Sequence, residues 1–149
     1  MAVHKYQSGF GSSGAYLLPG RPWITGSADI GAGQETKVEF PAVTKSFTII
    51  ASGSGTTPKL RVHFNSTSST DPAVLGNDGL YHGPGSADVI TNMHFIQLDG
   101  DEESMVFNVR VKDVYITALN AGSGYQLYAE LTGIQREEAP LLTGSGVTK

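Results

Sequence analysis

The sequence predicts an all-β protein: an antiparallel β-sandwich of jelly-roll-like layout with an extended, Gly-rich N-terminal arm. Three observations carry this. Gly, Ser and Thr together number 46 of 149 residues, and charged residues make up 16% against a globular norm of about 25%. From residue 36 to residue 134 apolar residues recur with period two, the mark of half-buried strands. No segment offers the sustained 3.6-residue periodicity that a crossover helix requires.

Residues 1–35 form the arm. Gly9, Gly11, Gly14, Gly20, Gly26, Gly31 and Gly33, with Pro19 and Pro22, leave no stretch long enough for a stable helix. Phe10, Tyr16, Leu17, Leu18, Trp23 and Ile24 are too apolar for a solvated tail. Such a segment lies against a surface, its own domain or a neighbour, and these six residues are the candidate interface anchors.

The sandwich occupies residues 36–134. Val38 and Phe40 alternate with Lys37 and Glu39. Residues 45–51 are rich in Phe and Ile, and Leu60, Val62 and Phe64 alternate with Lys59, Arg61 and His63. The intervening Ser52-Gly53-Ser54-Gly55-Thr56-Thr57 is a turn by composition, so the two runs read as a hairpin with a longish loop. Residues 65–88 are a polar insertion, and loops of that length are often functional. Within it, Asn77 to Gly85 reads as a shaped loop that displays Tyr81 and His82 at its tip. Further strands follow at residues 89–98, at 105–111 with Met105, Phe107, Val109 and Val111 inward, and at 114–119. The last places Tyr125, Leu127, Ala129 and Leu131 on one face. Residues 135–149 form a polar tail, exposed or docked on a partner.

Composition excludes several functions. There is no Cys, which removes disulfides, thiolate metal sites and cysteine nucleophiles. No run of 18 apolar residues and no leader-like apolar stretch occurs, so the expectation is a protein neither membrane-spanning nor exported by that route. The net charge of −4 divides into +3 over residues 1–64 and −7 over residues 65–149. This balance gives no general affinity for nucleic acid.

The candidate motifs are weak. Gly9-Phe10-Gly11-Ser12-Ser13-Gly14 matches a dinucleotide fingerprint in form, but no strand precedes it and Pro19 blocks the helix that would hold a pyrophosphate. His4, His63, His82 and His94 have no metal-ligand spacing, and His63 and His94 read as surface-facing strand residues. Asp99, Asp101, Glu102 and Glu103 form a dense acidic group. They read as a solvated turn protecting a sheet edge, with calcium as the competing assignment. Asn65-Ser66-Thr67 fits a glycosylation sequon without a leader to accompany it. No acid/base pair in recognisable context appears, and no cofactor or resident metal is expected.

Beyond these features the layout resembles a known class. The arm is followed by Pro41-Ala42-Val43-Thr44-Lys45-Ser46-Phe47-Thr48-Ile49, Leu60-Arg61-Val62-His63-Phe64, the polar insertion, His94-Phe95-Ile96-Gln97-Leu98 and Tyr125-Gln126-Leu127-Tyr128-Ala129-Glu130-Leu131-Thr132-Gly133-Ile134. This order is similar to that of small virion structural proteins of tailed bacteriophages, above all capsid decoration or cement proteins. The resemblance implies a β-rich domain that clamps capsomers on the exterior of a virion assembled in the host cytoplasm. It also implies the major capsid protein and the protein itself, as a homotrimer, as partners, and no catalytic residues. A glycan- or receptor-binding sandwich of a phage tail or head fibre is the alternative, with Tyr81 on the sugar.

Overall fold

The computed structural model describes residues 20–54, 57–64, 74–75, 81–82 and 95–139, with 74–75 and 81–82 described in backbone alone. Ten strands and one 3₁₀ turn follow in order: β1 (Arg21–Ser27), β2 (Glu35–Glu39), β3 (Thr44–Gly53), β4 (Leu60–His63), β5 (Val74–Leu75), β6 (Tyr81–His82), β7 (Ile96–Leu98), β8 (Ser104–Phe107), β9 (Asp113–Ala118), β10 (Ser123–Leu131) and the turn Arg136–Glu138. The first sheet has the order β1-β10-β3-β8 and the second β2-β9-β4-β7, while β5 and β6 form a separate ribbon. Every pairing is antiparallel. With the β5–β6 ribbon set aside as an insertion, consecutive strands alternate between sheets up to β4, and the later four return in reverse beside them. That is the jelly roll, two Greek keys folded over one core.

The core explains why the period-two runs become these strands. Rows of directly opposed residues cross the first sheet, and each row shares one face. Trp23, Ala129, Phe47 and Phe107 form one inward row, and Thr25, Leu127, Ile49 and Met105 the next. Against them the second sheet turns Val38, Leu60, Val62, Leu98, Val114, Ile116 and Ala118, all buried in the same cluster. Phe47 stacks on Phe107 with ring centroids 4.8 Å apart. Phe40 and Phe64 close over it at 5.4 and 6.3 Å. Gly124 lets β1 end tightly against β10, because a Cβ there would overlap the Ser27 and Ala28 carbonyls.

Three expectations change. Residues 45–51 and 60–64 do not form a hairpin: β3 lies in the first sheet and β4 in the second. Alternation reports which face is buried, not which strand is the neighbour, and both strands needed partners that arrive later in the chain. Within the expected arm of residues 1–35, Arg21–Ser27 is an edge strand paired along its length with β10, and residues 1–19 lie outside the described residues. Met105 points inward yet is 36% exposed, because β8 is an edge strand and the facing edge strand β7 has only three residues.

Past β10 the chain is held rather than free. Arg136 Nη1 donates to the Phe40 and Lys112 carbonyls at 2.6 and 2.7 Å, and Nη2 to Asp113 Oδ1 at 2.8 Å. Ile134 and Ala139 pack with Val43 in a small second cluster. Residues 135–139 of the expected tail therefore dock on their own domain. Removing the guanidinium leaves two carbonyls and a carboxylate short of a donor, so Arg136→Ala should cost about 2–3 kcal/mol in denaturant unfolding.

The same corner predicts a pH profile. The Lys37 ammonium bonded to Glu39 at 2.7 Å holds the Glu39 carboxyl below its ordinary value near 4.5. The bond to Glu39 raises Lys37 above its ordinary 10.5. A depressed carboxylate contributes above its unfolded pKa and loses that contribution as pH falls through the folded value. A raised ammonium contributes below its unfolded pKa and loses it as pH rises through the folded value. Glu39→Gln should therefore lower the urea midpoint between roughly pH 5 and 10 and leave it unchanged in acid.

Candidate interaction surface

The outward face of the first sheet carries an apolar row. Register places Ile24 opposite Tyr128, Tyr128 opposite Thr48 and Thr48 opposite Val106, so one line of side chains crosses all four strands on the solvent side. Ile24 is 74% exposed, Val106 61% and Tyr128 41%. The next row, Gly26, Gln126, Ile50 and Ser104, adds the half-buried Ile50 beside it. Scattered exposed apolar residues are ordinary on any protein. Exposed apolar side chains lined up across one sheet, with the half-buried Thr48 between Tyr128 and Val106, mark a candidate interaction site.

At Gly20 the backbone passes so close to Glu130, an outward residue of β10, that a Cβ would lie 2.6 Å from the Glu130 Cβ. Gly20, just ahead of β1, therefore lies beside the outward row of Pro22, Glu130 and Ser46.

The predicted anchors divide accordingly. Phe10, Tyr16, Leu17 and Leu18 lie outside the described residues. Trp23 packs against the core, its ring edge-on to Phe40 at 5.5 Å, because alternation along β1 turns residue 23 inward and residue 24 outward. Ile24 therefore faces solvent and Trp23 does not. Tyr81 and His82 form β6, paired with Leu75 and Val74, and do not sit at a loop tip; their side chains lie outside the described residues. Sequence reasoning missed Tyr128 and Val106, although alternation in β10, with Leu127 and Ala129 inward, already turns Tyr128 outward.

The outer face of the second sheet is polar and partly buried. His63, expected at the surface, is buried: Nε2 is 2.9 Å from Thr117 Oγ1 and 3.7 Å from Glu35 Oε2, and the ring stacks on Tyr115 at 5.9 Å. The reason lies in β2 and β9, whose outward Glu35, Tyr115 and Thr117 supply polar and aromatic partners. Arg61, two residues earlier, lies over the Phe95 ring at 4.3 Å, and its Nε donates to Gln97 at 3.2 Å. His4, His94, the Gly9 to Gly14 motif and the Asn65 sequon lie outside the described residues.

The acidic group braces a turn. Glu103 Oε2 accepts from the Asp99 and Gly100 amides at 2.6 and 3.0 Å, Gln97 donates to both Asp99 carboxylate oxygens, and Asp101 Oδ1 accepts from Gly53 at 2.9 Å. Asp101 and Glu102 border an open depression of about 510 Å³ with Ile50, Ser52, Ser104 and Gln126. Among the described residues no three His, Cys, Asp or Glu side chains converge as metal ligands do. Millimolar calcium is expected to leave the melting temperature unchanged; a rise of several degrees would show that these carboxylates exchange their amide partners for an ion.

Among the described residues no helix is long and apolar enough to cross a membrane. No protein-family pattern matches the chain, and no curated protein is similar to it in sequence. Among solved structures it is similar to the SPBc2 prophage-derived protein YomS, with 10% identity and a TM-score of 0.40, over 76% of this chain and 97% of that one.

Proposed function

We propose that the protein is a non-enzymatic structural component of a phage particle. It binds the exterior of the capsid shell and reinforces it as a decoration, or cement, protein. Its partners are the major capsid protein and further copies of itself. The observation that carries this reading is the line of exposed Ile24, Tyr128 and Val106 across the outer face of the first sheet.

Jelly rolls serve repeatedly in viral capsids, where two packed sheets bury one core between them. A protein that binds the assembled lattice and not its free subunits shifts assembly toward the lattice by mass action, in proportion to affinity and copy number. Co-sedimentation with shells lacking the protein tests the reading. Saturable binding at many copies per shell is expected. Absence of binding to shells, with binding to glycans or host cells, would replace it by a recognition role.

A further inference from the structure

The two sheets of the sandwich end in four edges among the described residues: β1 and β8 in the first sheet, β2 and β7 in the second. Natural proteins protect such edges with charge, proline, bulges or shortness. β1 carries Arg21 and Pro22, β2 carries Glu35, Lys37 and Glu39, and β7 is three residues long. β8 reads Ser104-Met105-Val106-Phe107, short and entered through a bulge where Glu102 and Glu103 together oppose Ala51, but within the strand it carries neither charge nor proline.

Its exposure has two sides. Val106 is 61% exposed on the outer face, where it ends the apolar row. Met105 is 36% exposed on the core side, at the open mouth between β8 and the short β7. Ala51 exchanges backbone hydrogen bonds with Glu102 and Glu103 across β3 and β8. Antiparallel alternation from that point turns the N–H and C=O groups of Ser104 and Val106 toward the free edge. A strand added there would satisfy those groups, bury Met105 from one side and extend the outer row from the other.

We propose that β8 accepts residues 15–18 of a second copy of this chain, which join the first sheet as its fifth strand. This deepens the reading of the arm given above and rests on it. Ala15, Tyr16, Leu17 and Leu18 match β8 in length and lack charge, and Pro19, which cannot donate to a ladder, marks the end of the pairing. Reach decides which copy supplies the strand. The chain re-enters its own sheet at Arg21, on the edge opposite β8, so the added position lies four strand spacings away, about 19 Å. From Leu18 to Arg21 three residues of extended chain span only about 10 Å. A chain therefore cannot place this segment on its own β8. Because the donor edge, β1, and the acceptor edge, β8, are on opposite sides, the contact is head to tail, the kind that builds a ring such as a trimer when its rotation closes and a filament when it does not; we propose the ring.

The test is the mass of the purified full-length protein by light scattering, compared with a deletion of residues 1–19 and with Val106→Lys. Each variant is checked for cooperative thermal unfolding. The full chain is expected to be a closed oligomer, and both variants folded monomers, a threefold fall in mass for a trimer. Val106→Pro is a second edge variant, since its lost N–H faces away from β3. A full chain that is monomeric, or an oligomer that survives either the deletion or the edge variants, would overturn the proposal. No shells enter this experiment, so a failure of shell binding leaves its outcome untouched.

Discussion

Phe47→Ala is expected to lower the unfolding free energy by about 3–5 kcal/mol, as truncation of a fully buried phenylalanine does when its surroundings cannot collapse. Phe47 sits in the middle of the inward row, 1% exposed, stacked on Phe107 and enclosed by Phe40 and Phe64. Its backbone is pinned between β10 and β8, so the strand cannot shift inward to fill the void. Against a total stability of roughly 5–15 kcal/mol for a domain, a loss of this size leaves the variant marginal. Val106→Ala is the control, lying on the same sheet with its side chain outward, and should fall within about 0.5 kcal/mol of the parent in the same urea titration. Equal effects from the two substitutions would mean that the faces of the first sheet are assigned the wrong way round.

Truncation from the N-terminus should separate folding from binding at a sharp boundary. Deleting residues 1–19 removes the arm and leaves β1 whole. The product is expected to unfold cooperatively near the parent temperature and to lose shell binding. Deleting residues 1–26 takes most of β1 as well. That cut uncovers the edge of β10 and removes Trp23 from its contact with Phe40, so the expected product is unfolded or aggregated. Binding that persists after the shorter deletion would move the contact surface off the arm. A well-folded product of the longer deletion would show β1 to be dispensable.

The sandwich class was legible because period-two burial is a local property. Val38, Phe40, Leu60, Val62, Tyr125, Leu127, Ala129 and Leu131 all face the core as alternation requires. Pairing was not legible, because β3 and β4 are close in sequence but each finds its partners among strands that arrive more than thirty residues later, β8 and β10 for one, β7 and β9 for the other. Arg21–Ser27 escaped recognition as a strand since Pro22 and Gly26 read as breakers, yet edge positions tolerate both. His63 was misplaced because the pattern of β4 gives its side, outward, while its burial depends on Glu35 and Thr117 from two other strands. The outer row was half legible: alternation turns Ile24 and Tyr128 to solvent, but their alignment with Thr48 and Val106 is a matter of register, which no single segment encodes.

Reinforcement of the shell is tested most directly by calorimetry of the shell itself. Capsid shells lacking the protein are heated alone and after saturation with it, and the temperature of shell disruption is read in each case. Binding confined to the assembled lattice predicts a disruption temperature that rises with occupancy and levels off when the sites are filled. A disruption temperature that stays constant at full occupancy would contradict a cement role, whatever the affinity of the contact.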